Sequence, residues 1–129
     1  MAKRWMSRVA IAGGASVALA LTNVSTAQAA NLSFSLSYNG AQVGTMAHLD
    51  ADPDRIQVCD TRADGYGVTG TLSILHGAAG WSTIAVVDDG GDAGCDTLQV
   101  PISGTAYYSM ELCWNGRAGV CKSTAPFQE

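Results

Sequence analysis

Basic residues are scarce once the first thirty residues are set aside. Arg55, Arg62, Arg117 and Lys122 stand there against 11 acidic groups, a formal net charge of −7. Neutralising phosphates takes the opposite balance, so nucleic acid is excluded as the main partner. Histidine is limited to His48 and His76, and glutamate to Glu111 and Glu129. No G-x-S-x-G turn is present to raise a serine nucleophile, and a Ser-His-Asp triad is defined by geometry that residue types alone do not supply. Glycosidase chemistry needs two carboxylates across a sugar cleft. Glu111, placed among Tyr108, Met110, Leu112 and Trp114, instead reads as the solvent-facing position of a strand. These absences describe a non-catalytic chain that needs no cofactor. Also missing after the N-terminal segment is any apolar stripe at helical spacing. At 47% hydrophobic and 14% charged the 129 residues form a globular unit of one domain rather than a disordered tail.

The N-terminal segment is read as an address. Lys3, Arg4 and Arg8 precede a mostly apolar run of thirteen residues, Val9 to Leu21, and Ala27-Gln28-Ala29 has the small residues of a cleavage site. Thirteen is short of the ~20 needed to span a bilayer. Residues 1–29 are expected to be a secretory signal peptide and residues 30–129 the mature, extracellular domain, with no membrane contact after cleavage.

Export sets the reading of Cys59, Cys95, Cys113 and Cys121. Four cysteines in a secreted domain of this size imply disulfides. A zinc site would want paired C-x2-4-C knuckles, and none exists. Three connectivities are possible; the favoured one closes the short loop Cys113–Cys121 and leaves Cys59–Cys95 as the longer clamp.

Leu32, Phe34, Leu36 and Tyr38 alternate with Asn31, Ser33, Ser35 and Ser37, the period of a half-buried strand. Asn39-Gly40 has the turn chemistry of a hairpin, and Gln42 to Leu49 is the return strand, with Val43 and Met46 its buried positions. Further strands are expected at Arg55–Asp60, Val68–Leu75, Trp81–Val87, along Leu98, Val100 and Ile102 with Pro101 marking a sheet edge, at Tyr107–Trp114, and more weakly at Val120–Phe127. Seven to eight short strands without a helix predict an all-β fold, a small antiparallel β-sandwich of the immunoglobulin-like or a related kind.

Asp50-x-Asp52-x-Asp54 opens like an EF-hand loop but has Arg55 where glycine is required and Thr61 where the bidentate glutamate belongs. Asp88, Asp89 and Asp92, with Asp96 nearby, form a second acidic cluster and the better calcium candidate, although turns favour Asp and Gly without any ion. Most aromatics read as core, one of Tyr107 and Tyr108 being free to face outward. Tyr66 and Trp114 are expected to be exposed contact residues. Leu32 and Phe34 are a further contact candidate if the first strand leaves the domain to extend a partner's sheet; the simpler expectation is that it pairs with Gln42–Leu49.

The stretch Val58-Cys59-Asp60-Thr61-Arg62-Ala63-Asp64-Gly65-Tyr66-Gly67-Val68, followed by Gly94-Cys95, Leu112-Cys113-Trp114 and Cys121, resembles a family of small secreted β-sandwich proteins of actinomycetes. The likeness covers roughly residues 30 to 127. In size and layout the chain is similar to the adaptor subunit of the umbrella toxin particles of Streptomyces. The resemblance implies an antibacterial assembly in which such a domain links a lectin-like subunit to a large polymorphic toxin. It assigns no interface residue. The alternatives are a small secreted inhibitor of a hydrolase, using the Trp114–Val120 loop, or a calcium- or sugar-binding secreted domain.

Overall fold

The computed structural model describes residues 31–91 and 94–129; the expected leader and Asp92 lie outside the described residues. The alternating sequences form eight strands: β1 (Leu32–Tyr38), β2 (Ala41–Leu49), β3 (Arg55–Asp60), β4 (Val68–Leu75), β5 (Trp81–Asp89), β6 (Cys95–Gln99), β7 (Tyr108–Trp114) and β8 (Cys121–Ser123). One three-residue 3-10 turn, Gly77–Ala79, lies between β4 and β5. One sheet runs β1-β2-β3-β6 and the other β5-β4-β7-β8, and every pairing is antiparallel. The fold is therefore all-β, a small antiparallel sandwich. Its order is of the related kind: an immunoglobulin sheet sets the first two strands beside the fifth and fourth, whereas here β1, β2 and β3 form a meander.

Period two places Leu36, Met46, Ile56 and Val58 from the first sheet against Val68, Leu72, Val87, Met110 and Leu112 from the second, all buried. Fully burying each such side chain contributes about 1.5–3 kcal/mol. Two bulges adjust the pattern. Leu36 pairs with Gly44 and Ser37 with Gln42, so Val43 is the extra residue, and both Val43 and Gly44 turn inward. Leu72 pairs with Ala85 and Ser73 with Thr83, so Ile84 is extra and stays exposed beside buried Ala85. Gly70 leaves room for side chains of the facing sheet: a Cβ there would lie 2.4 Å from Val58 Cγ2. Tyr108, 1% exposed, accepts the Ser103 backbone N–H at its hydroxyl, 2.9 Å away. This bond ties the long β6–β7 connection to the start of β7, in the manner of a tyrosine corner.

Several expectations change. The strand expected through Leu98, Val100 and Ile102 stops at Gln99: Val100 and Ile102 still pack on the core, but the Ile102 N–H turns back to Val100 O at 3.2 Å instead of extending the ladder. Leu98, on an edge strand, is 41% exposed. β5 runs on through Asp88 and Asp89, which read as turn residues. The last strand is three residues long, followed by an isolated bridge between Tyr108 and Phe127. Trp81 is not core but 45% exposed, since it stands opposite Leu75 on the outer face. β1 is the domain's own first strand: Leu32 pairs with His48 and Phe34 with Met46. Leu32 and Phe34 are half-buried and pack against the core, so in this arrangement they serve the domain's own fold.

Candidate functional site

The two ends of the sandwich differ. At one end lie the β1–β2 turn, the β3–β4 loop, the β5–β6 loop and the β7–β8 loop. Both disulfides sit at the base of these loops. Cys59–Cys95 joins directly opposed residues of β3 and β6, and Cys113–Cys121 does so for β7 and β8, which is the favoured pairing. The covalent bonds belong to an oxidising compartment, and no cysteine is left free for zinc.

Above these staples the loops are held by carboxylates and glycines. Asp89 is 2% exposed, and its Oδ2 accepts the Asp60 backbone N–H at 2.6 Å. Asp60 Oδ1 in turn accepts the Arg62 N–H at 3.0 Å, and Asp64 Oδ1 the Tyr66 N–H at 2.9 Å. These are the side-chain-to-backbone bonds that make Asp a turn former. The Asn115 N–H donates to Gly67 O at 2.9 Å and joins the β3–β4 loop to the β7–β8 loop.

An aromatic and arginine cluster fills this end. Trp114 is 8% exposed, not an exposed contact as expected. The reason is its phase: Tyr108, Met110, Leu112 and Trp114 all fall on the inner face of β7. Tyr38 tilts over its ring at 4.8 Å, and Tyr66 meets it edge-on at 5.7 Å and 82°. Gly116 closes the remaining side, where a Cβ would lie 2.3 Å from Trp114 Cζ2. Trp114 Nε1 is buried there without a hydrogen-bond partner. The Arg62 guanidinium stands 6.0 Å from the Trp114 ring and its Nε 3.6 Å from Asp64 Oδ2. Arg117 lies 5.9 Å from the Tyr38 ring and donates to the Tyr38 hydroxyl at 2.6 Å. Tyr66, as expected, is exposed, at 49%.

Of the calcium candidates, the two described ones do not converge. Asp88 and Asp89 are neighbours on a strand and point to opposite sides: Asp88 outward to the Thr69 hydroxyl, Asp89 inward to Asp60 N. Glu111, Cys113 and Cys121 lie close together, but both sulfurs are in a disulfide. At the opposite end the carboxylates of Asp50, Asp54 and Glu129 come within 4.8 Å of one another, and Asp54 is already engaged by His48 Nε2 at 3.1 Å. His48 is 2% exposed and stacks on Phe127, so its ring is sealed from solvent. His76 lies in the exposed turn after β4. Glu111, as expected, faces solvent.

Sequence reasoning selected Tyr66 but missed Tyr38, Arg62 and Arg117, which reach the cluster from positions 24 to 79 residues apart in the chain. Only the paired ends of four strands bring them together. Among the described residues no helix is long and apolar enough to cross a membrane. No protein-family model, curated protein or solved structure matches this chain.

Proposed function

We propose that this is a secreted, non-catalytic protein-binding module that offers its stapled end to another secreted protein. The observation that carries the reading is the convergence of both disulfides and the Tyr38–Trp114–Tyr66 cluster, with Arg62 and Arg117, on one end. Tyr, Trp and Arg are the residues enriched where interfaces concentrate their binding energy. Loops already held by cross-links lose little freedom on association, which favours affinity. Buried Trp114 acts as the floor and Tyr66 as the exposed anchor.

Taken with the resemblance to umbrella toxin adaptors, the module would join a lectin-like subunit to a large polymorphic toxin in an extracellular antibacterial particle. Affinity purification of the tagged protein from culture supernatant tests this. The expected result is co-elution of a large toxin and a lectin-like protein, lost in Tyr66→Ala and Arg117→Ala at unchanged melting temperature. A protease or amylase in the eluate would favour the inhibitor reading. Recovery of a lone monomer, or substrate turnover abolished by replacing a single polar side chain, would overturn the proposal.

A further inference from the structure

The outer face of the β5-β4-β7-β8 sheet carries chemistry that the stapled end does not use. Register decides which residues share it. Leu75 pairs with Trp81, and the Leu75 N–H bonds Tyr107 O just before β7, so Trp81, Leu75 and Tyr107 form one row across three chain segments. Trp81 is 45% exposed and Tyr107 48%, whereas adjacent Tyr108 turns inward. Two strand spacings set the two aromatics roughly 10 Å apart. The next outward row is three hydroxyls, Thr83, Ser73 and Ser109, and the one after includes Thr71 and Glu111. A shallow depression of about 230 Å³ covers these rows from Trp81 to Glu111. Ser123 Oγ donates to Glu111 Oε2 at 3.1 Å and orients the carboxylate. Glu111 Oε1 meets Cys113 Sγ at 3.8 Å, a disulfide sulfur with no proton to give, so this oxygen keeps its accepting capacity.

Two exposed aromatic plates beside a carpet of hydroxyls match a polyol better than a peptide or an anion. A pyranose ring has an apolar face of C–H groups that covers an aromatic ring, and hydroxyls around its rim that both donate and accept. Ser and Thr do the same. An anionic ligand would need a cation, but the depression has none among its lining residues. The nearest basic side chain along β8, Lys122, donates instead to Ser35 O across the sandwich at 3.1 Å. Protein anchors commonly set Arg beside the aromatics, and no Arg lines this depression.

We infer that this face binds an extended β-1,4-linked polysaccharide, with Trp81 and Tyr107 stacking on sugar rings two residues apart. In such a chain alternate rings turn the same face to one side, and the disaccharide repeat is of the same order as two strand spacings. The Thr83 and Ser73 hydroxyls bond along the edge of the chain, Ser109, which donates to Thr124 O at 3.3 Å, serves as an acceptor, and Glu111 accepts from a sugar hydroxyl at the far side of the depression.

The test is titration of the disulfide-intact protein with cellohexaose and chitohexaose, with α-linked maltohexaose as the comparison, followed by tryptophan emission and calorimetry. The expected result is that at least one β-1,4 hexasaccharide binds and shifts emission to shorter wavelength. Trp81→Ala should remove the shift and weaken binding about tenfold or more, and Tyr107→Ala should weaken it by a similar factor. Both variants should keep the wild-type melting temperature, and Tyr66→Ala should bind the sugar normally, which separates this site from the stapled end. No binding of either β-linked probe, equal binding of maltohexaose, or full affinity in Trp81→Ala would overturn the inference.

Discussion

Asp89, the last residue of β5, holds the last residue of β3 in the opposite sheet: its Oδ2 accepts the Asp60 backbone N–H at 2.6 Å. The carboxylate is 2% exposed, so water does not replace this bond when it is lost. Hydrogen bonds to charged groups contribute about 1.5–3 kcal/mol. Asp89→Ala is expected to lower unfolding free energy by about that amount, and Asp89→Asn, which keeps an acceptor oxygen, by about half. Urea denaturation of both variants checks this; equal losses would show that the negative charge, which Asn lacks, matters rather than an acceptor oxygen alone.

The two disulfides are expected to contribute unequally. Their sequence separations are 36 for Cys59–Cys95 and 8 for Cys113–Cys121. In the chain-entropy description the longer loop is worth about 4 kcal/mol and the shorter about 2.5 kcal/mol. Paired Cys→Ala variants, compared by denaturant midpoint, should follow that order. The short bridge should matter more to partner binding, because it closes the loop that holds Arg117 on Tyr38.

Gly116→Ala should disturb the stapled end locally. The added methyl would lie 2.3 Å from Trp114 Cζ2, and the ring has Tyr38 and Tyr66 against it. Overpacking of this kind costs about 1–3 kcal/mol, with a change in near-UV circular dichroism. Gly104→Ala, whose methyl would meet only Glu129 O at 3.7 Å, is the neutral control.

Removing residues 30–37 should collapse the domain. β1 pairs along β2 from Leu32 to Tyr38, and Leu36 is 5% exposed in the core. Loss of a cooperative thermal transition is expected. A truncated protein with an unchanged melting temperature that no longer bound its partner would mean that β1 serves the partner rather than the fold.

Most of the architecture could be read from the sequence, because half-buried antiparallel strands write their phase into alternation. The bounds of β3 and β4 and the Asn39-Gly40 turn followed from residue types and spacing, while the disulfide pairing is the favoured one of three that spacing left open. Trp114 was legible in principle: the phase of Tyr108, Met110 and Leu112 already pointed it inward, and the neighbouring Asn115-Gly116 turn drew attention away from that phase. Asp89 was not legible. An aspartate beside Gly90-Gly91 reads as a surface turn, and its burial depends on a backbone N–H 29 residues upstream. The outward placement of Trp81 likewise rests on the bulge at Ile84, which resets the phase of β5 and has no mark in the local sequence.

Asn31 Oδ1 accepts the Asp50 N–H at 2.8 Å, and Glu129 reaches the carboxylates of Asp50 and Asp54. Both extremities of the described chain thus meet at the foot of the molecule, a full strand length from Tyr66. A dye, bead or fused domain attached through either extremity would hang below and leave the crown of loops free. Immobilised sensors and display formats can therefore be assembled from either direction without obstructing the end proposed to bind a partner.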